Sequence, residues 1–497
     1  MRILIRADAS LRIGTGHVVR CLTLADALAR MGCAVHFACR MEPGHALAQI
    51  ESRGYPVYRL SVLDQRDDPE APLPWAEDMD CLLRVLPDEL EFDWCVVDHY
   101  GLGADWERAI RIRARRVLAI DDLPQRQHAV DLLLDQNLTA FTRPEMASSE
   151  TGRTLFGPRF ALLRPAFMGR ETPLRTTVER VLVNFGGVDA KGETFKVLEA
   201  LAAFPTLQVD IVAGSANPAF DRLQQLTAKH SHWHLQRQVE DFAALMAAAD
   251  LCIGAGGSST WERAALGRPT LCVALAPNQQ GNAVALAECG AHLYLGEAEA
   301  LEVADYRAAV RTLLLSNELR RSLAAQAKAL VDGRGAIRVT TAMLGQDLRL
   351  RPATADDARL LYDGRNAEVV RRASLNTDPL SWDDHLGWLT RTLADTEGHL
   401  LLIASVLDAP VGVIRFQRRS AKIAEVSLYL LEERLGAGWG MRLLQSGEDY
   451  LANHGWEIEE IEARVRNDNP ASLRLFQQAG YQPRLHQLYR PLRGDCR

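Results

Sequence analysis

The sequence lacks several features that would assign it to a specialised class of protein. None of its 9 cysteines lies in a Cys-x-x-Cys pair, so no disulfide framework is indicated and a reducing cytoplasm is the expected compartment. The chain has no polybasic stretch and a formal net charge of -7, which argues against nucleic acid or a membrane surface as a partner. No apolar run is long enough to span a bilayer, and charges interrupt the first apolar residues, so we expect no signal peptide.

The remaining composition is that of ordinary globular domains. Of the 497 residues, 47% are hydrophobic and 24% are charged, which provides apolar material for several cores. At about 150 residues per domain, this length predicts roughly three domains. We therefore expect a soluble protein that acts on small molecules, and the sequence does not specify its oligomeric state.

Strand-like apolar segments alternate with amphipathic helical segments over the first 345 residues or so. Strand patterns cover residues 2–7, 34–38, 94–98 and 117–120, and they resume at 181–183, 209–212, 251–253 and 271–274. Such alternation predicts parallel sheets with helices on both faces. We predict two doubly wound Rossmann-like lobes, residues 1–165 and 166–346, with a hinge within 157–173. A cleft between them would bring strand ends from both lobes to one ligand.

A first glycine-rich loop lies between the first strand and the first helix, at Gly14-Thr15-Gly16-His17. Glycine lets the backbone approach a phosphate, and the helix N-terminus offers unpaired N–H groups. The spacing to a third glycine does not match the Rossmann fingerprint, so a structural turn is the alternative. His17 is either a general base for water or a histidine that binds phosphate or stabilises the turn.

A second glycine-rich loop, GAGGSSTWE at residues 254–262, follows a buried strand and begins a helix. Its glycines and hydroxyl residues suit a pyrophosphate, and two such loops on facing lobes predict one shared diphosphate ligand. Glu262 is either an acceptor for ribose hydroxyls or a carboxylate favoured by the helix dipole. The later segment PNQQGN, residues 277–282, is either a sugar or phosphate contact or a polar loop. The binding residues predicted from both segments are Gly256, Gly257, Ser258, Ser259, Thr260, Glu262, Asn278, Gln279 and Asn282.

Three histidines, His230, His232 and His234, alternate within HSHWH. A period of two predicts that they share one face of a strand. No carboxylate or cysteine cluster accompanies them, so we predict a solvated strand and no metal site.

Several runs in this part of the chain closely resemble the UDP-sugar hydrolases of the pseudaminic acid pathway. They are RADASLRIGTGHVVRCLTLADALA (6–29), VVDHYGL (96–102), IDDLPQRQHAVDLLLDQN (120–137), FGPRFALLRPAF (156–167), VNFGGVD (183–189) and ADLCIGAGGSSTWERAALGRPT (249–270). The resemblance spans nearly all of residues 1–345. It implies a glycosyltransferase-B fold and removal of UDP from a UDP-linked 2,4-diacetamido-2,4,6-trideoxy-altrose.

The same resemblance implies roles for individual residues. His17 would be catalytic, the second glycine-rich loop with Glu262 would hold UDP, and Tyr100 and Asn282 would contact sugar or phosphate. UDP leaves readily, so the protein must mainly stabilise charge on the diphosphate and orient a water. Helix N-termini, at Gly14 and Gly16 among others, supply the first, and His17 with a carboxylate such as Asp8 supplies the second. No metal or cofactor is needed.

A third domain of α+β type is predicted for residues 347–497. Strand patterns at 400–406, 411–416 and 423–430 lead into LGAGWG, residues 435–440, and a helix over 441–453. This loop resembles the phosphate loop of GCN5-related N-acetyltransferases (GNAT), although Leu435 replaces the usual Gln or Arg. NDNPASLRLFQQAGY (467–481) resembles the next motif of that family. The residues that resemble its pseudaminic-pathway branch are Arg365, Asn366, Val370, Arg371, His385 and Trp388.

The GNAT resemblance implies acetyl transfer from acetyl-CoA, as co-substrate, to an amine. The residues that would bind acetyl-CoA are Val426, Leu428, Gly436, Gly438, Trp439, Gly440, Asn469 and Ser472. Glu425 is either the base that deprotonates the amine or an exposed strand residue. Many members use a tyrosine to protonate the departing thiolate where this chain has Phe476, so Tyr481, Tyr489 or water would replace it.

Both resemblances together predict a bifunctional enzyme of nonulosonic acid biosynthesis. In that pathway, acetylation of a 4-amino group immediately precedes removal of UDP. Two alternatives remain open at this point. The first part could be a glycosyltransferase that moves the sugar to an acceptor, and the last domain could be a CoA-sensing or scaffolding module without catalysis.

Overall fold

The computed structural model describes residues 1–62, 73–123, 126–142, 152–170, 172–187, 189, 191–214, 217–237, 239 and 241–484. The chain folds into two compact units, Met1–Thr340 and Thr341–Arg497. The predicted boundary at 346/347 lies a few residues beyond this division. In the described part of the chain, no helix combines the length and apolarity needed to cross a membrane.

The first unit opens with a lobe built on a parallel sheet. Its strand order is β3-β2-β1-β4-β5-β6-β7, and its central strands are apolar and buried. The strands are β1 Arg2–Ala7, β2 Ala34–Arg40, β3 Val57–Leu60, β4 Phe92–Asp98, β5 Ala114–Ile120, β6 Leu132–Asp135 and β7 Arg153–Phe156. The α-helices are α1 Gly16–Ala29, α2 Leu47–Glu51, α3 Trp75–Val85 and α4 Ala104–Ala109.

A second parallel sheet follows, with the order β10-β9-β8-β11-β12-β13. Its strands are β8 Arg180–Asn184, β9 Gln208–Val212, β10 Trp233–Gln236, β11 Leu251–Ala255, β12 Thr270–Ala274 and β13 Leu293–Glu297. Its helices are α5 Glu193–Leu201, α6 Phe220–Thr227, α7 Phe242–Ala248, α8 Ser259–Ala265, α9 Pro277–Glu288, α10 Val303–Leu315, α11 Asn317–Leu330 and α12 Gly335–Leu344. The prediction of two doubly wound lobes is confirmed, while the lobe boundary at 165/166, between β7 and β8, stays a prediction.

Each sheet has a topological switch point between two neighbouring strands, from which the strand order runs outward in opposite directions. In the first lobe it lies between β1 and β4, which pair with Ala7 opposite Asp98. In the second it lies between β8 and β11, with Asn184 opposite Gly254. Ligands of doubly wound sheets bind in the crevice beyond the carboxyl ends of the strands at this point. Both glycine-rich loops lie at these ends.

The two lobes of the first unit are joined by close backbone packing. A Cβ added to Gly335, at the start of α12, would lie only 2.1 Å from the carbonyl oxygen of Ala161, so any larger residue would push the segments apart. Arg338 of α12 donates to the carbonyl oxygen of Arg159 at 2.7 Å. These contacts fix α12 against the segment that connects the sheets.

The first lobe also contains buried charged groups. Arg6 donates to both Asp8 and Asp78, and all three side chains are nearly inaccessible to solvent. His128 lies 2.7 Å from Glu107 and 3.2 Å from Asp121. Burial opposes its protonation, but these two carboxylates raise the pKa of His128 to about 9. Buried charges of this kind persist only when they are paired.

The predicted histidine face on β10 is wrong. Of the three alternating histidines, His234 alone lies in the strand, whereas His230 and His232 precede it. The ring of His230 stacks on Trp233 at 3.8 Å between centroids. A turn before Trp233 therefore breaks the period of two.

The second unit has a mixed sheet with the order β14-β15-β16-β17-β18. Neighbouring strands are antiparallel except β17 and β18, which are parallel. The strands are β14 Arg349–Pro352, β15 His399–Val406, β16 Ala409–Arg418, β17 Ile423–Leu430 and β18 Glu460–Ala463. The helices are α13 Ala358–Asn366, α14 Glu368–Ala373, α15 Trp382–Ala394, α16 Trp439–Ala452 and α17 Pro470–Gln478. The predicted α+β architecture is confirmed.

Candidate active sites

The first glycine-rich loop is a tight turn that leads directly into α1. Gly14 has a φ of 72°, which disfavours residues with a side chain, and its N–H donates to the carbonyl oxygen of Ser10 at 2.9 Å. Thr15 precedes α1 without forming a side-chain cap. The N–H groups of the first helical turn have no partner within the helix, so they are available to an anion.

His17 stands in this first turn and faces an acidic strand end. Its Nδ1 lies 3.5 Å from Oδ1 of Asp98, and its side chain is 13% exposed. Burial lowers the pKa of His17, although Asp98 opposes this effect. The ring also meets the edge of Tyr100, with 4.7 Å between centroids. The lowered pKa favours the neutral imidazole, which is the state that a general base requires.

Asp98 is the carboxylate beside His17, and the sequence analysis did not single it out. Arg20 donates two hydrogen bonds of 2.6 Å to it. Burial opposes ionisation, but Arg20 and His17 together hold the pKa of Asp98 below its ordinary value. Its place at the end of β4, beside the end of β1, was the available signal.

Asp8, the carboxylate predicted beside His17, has other partners. It accepts from Arg6 and from the backbone N–H of Arg40 at 2.8 Å. Its other oxygen lies 3.3 Å from Nε2 of His99. Burial opposes its charge, but Arg6 and His99 hold the pKa of Asp8 well below its usual range. These contacts place it in the buried charge network of the lobe.

Tyr100 extends the cluster around His17. Its hydroxyl donates to Asp122 at 2.6 Å, and the amide of Asn137 donates to the other Asp122 oxygen at 3.4 Å. Arg20 approaches the same carboxylate at 3.9 Å. A hydrogen-bonded polar edge thus surrounds the imidazole.

The second glycine-rich loop lies opposite the first. A Cβ added to Gly16 would lie 3.9 Å from the hydroxyl oxygen of Ser258, so the two loops approach each other across the lobes as predicted. Arg263 lies behind the second loop and donates to the carbonyl oxygen of Ala255 at 2.6 Å. It also donates to the hydroxyls of Ser259 and Thr260, at 3.1 and 3.0 Å. Those two hydroxyls therefore have internal partners, whereas Ser258 faces the first loop.

Glu262 is held near the connection between the lobes. It accepts a hydrogen bond of 3.0 Å from Arg164. Burial raises the pKa of Glu262, although Arg164 opposes this. The carboxylate is thus oriented by an arginine that the sequence analysis did not assign.

The segment around α9, which was predicted to contact sugar or phosphate, also connects the two lobes. Asn282 is buried and accepts from the backbone N–H of Leu138 at 3.0 Å, which links the two lobes. Gln279 packs beside Gly256, where an added Cβ would lie 3.4 Å from its own Cβ. Asn278 is exposed. Of the three, Gln279 lies at the second loop.

The second unit presents an open strand edge. β17 pairs with β18 from Ile423 to Val426, while its pairing with β16 continues to Leu430. Beyond Val426 the two parallel strands diverge and leave main-chain groups of Ser427 to Leu430 on one edge. An extended amide-bearing chain can add to such an edge.

A glycine-rich turn and a helix start follow this edge. Gly436 and Gly438 have φ values of 70° and 90°, and Gly438 precedes α16 without a side-chain cap. A Cβ added to Gly438 would meet nothing within 4 Å. The loop is therefore open and suits a pyrophosphate. Trp439 is only 1% exposed, so it can contribute its backbone but not its side chain.

A cavity of about 440 Å³ opens beside the diverging strands. Glu425, the predicted base, lines it and accepts three hydrogen bonds at Oε2, at 2.9 and 2.5 Å from Arg419 and 2.5 Å from Arg464. Val426, Leu428 and Ser472 also line the cavity. So does Asn469, which caps α17 by accepting from the N–H of Ser472 at 3.1 Å.

Among the described residues, Tyr481 does not offer its hydroxyl to the cavity in place of a tyrosine at position 476. Phe476 lines the cavity, and the ring of Tyr481 packs on it with 5.0 Å between centroids. The Tyr481 hydroxyl donates to Glu448 at 2.6 Å, and Tyr489 lies outside the described residues. The phenol that does line the cavity is that of Tyr429, which donates to the carbonyl oxygen of Leu361 at 3.3 Å.

Comparison with protein families divides the chain in the same way. Residues 193–333 match the glycosyltransferase family 28 C-terminal domain, and residues 347–482 match the acetyltransferase (GNAT) domain. The chain is a glycosyltransferase-B-like unit fused to a GNAT domain. The GNAT match supports acetyl transfer with acetyl-CoA as co-substrate, and the glycosyltransferase-B-like unit fits a sugar-nucleotide enzyme.

Curated relatives of the chain come from three organisms. The UDP-2,4-diacetamido-2,4,6-trideoxy-beta-L-altropyranose hydrolase of Campylobacter jejuni is 28% identical over 58% of this chain and 97% of its own. The spore coat polysaccharide biosynthesis protein SpsG of Bacillus subtilis is 27% identical over 70% of this chain and 98% of its own. An uncharacterized protein of Methanocaldococcus jannaschii is 22% identical over 97% of this chain and 96% of its own, so it spans the GNAT domain as well.

Solved structures also resemble the two parts. MurG of Acinetobacter baumannii covers 69% of this chain and 99% of its own, with 16% identity and a TM-score of 0.48. A spermidine N-acetyltransferase of Vibrio cholerae covers 28% of this chain and 84% of its own, with 18% identity and a TM-score of 0.27. The family matches at residues 193–333 and 347–482 confirm the predicted fusion of a glycosyltransferase-B-like unit with a GNAT domain.

Proposed function

We propose that the chain performs two consecutive steps on one sugar nucleotide. The GNAT domain acetylates the 4-amino group of UDP-4-amino-4,6-dideoxy-N-acetyl-altrosamine, and the glycosyltransferase-B-like unit then removes UDP by hydrolysis to give 2,4-diacetamido-2,4,6-trideoxy-altropyranose. The observation that carries the hydrolytic step is the position of His17 beside Asp98, opposite the second glycine-rich loop. The similarity to the Campylobacter jejuni hydrolase supports this substrate.

In the proposed hydrolysis, His17 activates water. With a proton on Nδ1 facing Asp98, Nε2 carries the lone pair that accepts a proton from the water. The water oxygen bonds to C1 of the sugar, the bond between C1 and the diphosphate oxygen breaks, and its electron pair leaves on UDP. Asp98, fixed by Arg20, stabilises the imidazolium that forms. The imidazolium then returns its proton to solvent.

The leaving diphosphate is stabilised without protonation. The N–H groups at the start of α1 and the backbone of the second loop face one space, as the approach of Gly16 to Ser258 indicates. Preorganised N–H donors stabilise developing negative charge strongly where water is excluded. Arg263 keeps the second loop in shape through Ala255 and Thr260.

In the proposed acetyl transfer, the GNAT residues fit acetyl-CoA at two places. The free edge of β17 after Val426 suits the pantetheine amides, and the turn at Gly438 suits the pyrophosphate. Acetyl-CoA supplies the acetyl thioester. The neutral amine attacks the thioester carbonyl carbon, and its proton passes to Glu425 directly or through water and then to solvent. The bond from that carbon to sulfur breaks, its electron pair leaves on the CoA thiolate, and the thiolate takes a proton from water because Phe476 offers none. The role of Glu425 stays a prediction.

The hydrolytic step is tested with the diacetamido UDP-sugar in ¹⁸O-labelled water and no acceptor. We expect release of unlabelled UDP together with labelled sugar, because the bond to C1 breaks. His17→Ala should reduce the rate by about 10²–10⁴-fold, the usual contribution of a general base. His36→Ala, which changes a half-buried histidine of the same lobe, is the matched control.

Two results would contradict this proposal. Label in UDP would mean that a phosphorus–oxygen bond breaks, which contradicts attack of water on C1. UDP release that depends on an added sugar or lipid acceptor would identify a glycosyltransferase.

A further inference from the structure

A second carboxylate, that of Asp122, belongs to the cluster around His17. It follows β5, whose residue Ala119 pairs with Val97 of β4. Tyr100 and Asp122 each come three residues after this pair, so the two parallel strands bring both to the same edge of the sheet, at the switch point. The sequence analysis gave Tyr100 a contact with sugar or phosphate but gave Asp122 no role.

The partners of Asp122 leave most of its negative charge uncompensated. The hydroxyl of Tyr100 donates to one oxygen at 2.6 Å, and the amide of Asn137 donates to the other at 3.4 Å, and both of these donors are neutral. A guanidinium nitrogen of Arg20 lies 3.9 Å away, which is beyond hydrogen-bonding distance. Arg20 instead gives two hydrogen bonds of 2.6 Å to Asp98. Arg20 therefore compensates Asp98 more fully than Asp122.

Tyr100 connects Asp122 to the imidazole of His17. The two rings meet edge to face, with 4.7 Å between centroids and 88° between planes. Burial raises the pKa of Tyr100 well above its ordinary value, and Asp122 adds to this effect, so the hydroxyl keeps its proton and remains a donor. A hydrogen bond to a carboxylate is stronger than one between neutral groups. Asp122 thus fixes the ring that packs against His17.

The charges around His17 balance when both carboxylates are counted. Asp98 and Asp122 oppose the single guanidinium of Arg20, which leaves one excess negative charge while His17 is neutral. Protonation of His17 makes two cations and two anions. Burial lowers the pKa of His17, Asp98 and Asp122 raise it, and Arg20 and His99 lower it. A buried cation persists when it is paired, and Asp122 supplies the pairing charge that Arg20 does not take up.

We infer that Asp122 is a positioning residue for His17, which holds Tyr100 against the imidazole and balances, together with Asp98, the imidazolium that forms when His17 takes a proton from water. This rests on the proposed function and adds a residue to it. A carboxylate that stabilises an imidazolium assists a histidine that acts as a base. The side chain of Asp122 is 20% exposed, so solvent screens part of its charge.

Titration of His17 tests the inference without any substrate. The NMR signals of the His17 ring are followed in the full chain across acidic and neutral pH, and a His17→Gln variant identifies them. Asp122→Asn should lower the pKa of His17, because a negative charge is lost. Asp122→Glu keeps the charge and should keep most of the parental pKa.

Asp26→Asn is the matched control. Asp26 is a part-buried carboxylate of the same lobe that also accepts from a tyrosine hydroxyl, at 2.7 Å from Tyr55, and pairs with Arg53. It does not belong to the cluster around His17, so its replacement should leave the pKa of His17 unchanged.

Kinetics of UDP release from the diacetamido UDP-sugar provide the second readout. Asp122→Asn should reduce kcat about 3- to 10-fold, as loss of a partly screened charge pair does. It should change KM less than about 3-fold, because the imidazolium is absent from the ground state. The acidic limb of kcat should move to lower pH, and Asp122→Glu should recover most of kcat. Thermal unfolding of each variant establishes that it folds.

The outcomes separate this inference from the proposed function. An unchanged pKa of His17 in Asp122→Asn, or a raised KM with unchanged kcat, would overturn the inference. A lowered pKa that Asp122→Glu does not restore would overturn the charge-balancing role. A lowered and restored pKa in a chain that releases no UDP from the diacetamido UDP-sugar would support Asp122 as the positioning residue of His17 and refute the proposed hydrolysis.

Discussion

Replacement of Asp98 by Asn tests how His17 is positioned. Two unit charges 3.5 Å apart interact by about 5 kcal/mol at an effective dielectric constant of about 20. Arg20 holds the same carboxylate and offsets part of this, and only part of the charge has developed in the transition state. We therefore expect Asp98→Asn to cost about 1.4–2.7 kcal/mol in activation free energy, which is about 10- to 100-fold in kcat.

The pH profile of this variant carries a directional signature. His17 must be neutral to accept a proton, so kcat should be level above neutral pH and fall as pH drops through the pKa of His17, which burial places below 6.5. Asp98 raises that pKa. Asp98→Asn should therefore move the acidic limb to lower pH while it reduces the plateau.

The loss of kcat in Asp98→Asn must be separated from a loss of folding stability. Removing one partner of a buried ion pair costs about 3–5 kcal/mol, and Asp98 pairs with Arg20. Asp78→Asn is the matched control, because Asp78 is an equally buried carboxylate of the same lobe that pairs with Arg6. UDP release from the diacetamido UDP-sugar is followed in both variants across pH 5–9. An equal loss of kcat in both, or no shift of the acidic limb in Asp98→Asn, would refute the positioning role.

Three further changes have distinct expected results. The fold raises the pKa of His128 from 6.5 to about 9, so protonation of His128 stabilises the protein fully below pH 6.5, and this stabilisation is lost as pH rises through 9. His128→Gln should therefore lower the free energy of unfolding, measured in urea, by roughly 3 kcal/mol at pH 6 and hardly at all at pH 10. Gly16→Ala places a methyl group 3.9 Å from Ser258, so the melting temperature should remain and the Kd for UDP should rise about 10-fold by calorimetry. Gly438 has a φ of 90°, and Gly438→Ala places a residue with a side chain in that conformation at a cost of about 1–2 kcal/mol. The variant should raise the KM for acetyl-CoA while the hydrolase rate is unchanged.

The architecture followed from periodicity because buried strands such as β1 leave a clear apolar signal. The patterns at 2–7 and 423–430 agree with β1 and β17 at both ends. Short strands such as β3 and β18, of four residues each, were missed because their patterns are too brief to stand out. Their pairing depends on neighbours that are distant in sequence.

Local sequence identified the loops of the candidate sites but not the charge pairing around them. Glycine at positions 14 and 438 follows from local backbone geometry, so the residue type itself carries the signal. The neighbour of His17 depends instead on strand register, which places Asp98 at the switch point. Strand register also places Arg415 opposite Ser427, so both residues line the cavity. The sequence pattern of β16 gave no sign of this.

The most direct test of the account is product analysis of the intact chain. Purified protein is given UDP-4-amino-4,6-dideoxy-N-acetyl-altrosamine with and without acetyl-CoA, beside the His17→Ala variant, and products are followed by mass spectrometry and NMR. The account predicts that efficient UDP release requires acetyl-CoA and yields the diacetamido sugar, while His17→Ala accumulates the acetylated UDP-sugar. Equal UDP release without acetyl-CoA would contradict the sequence of two steps.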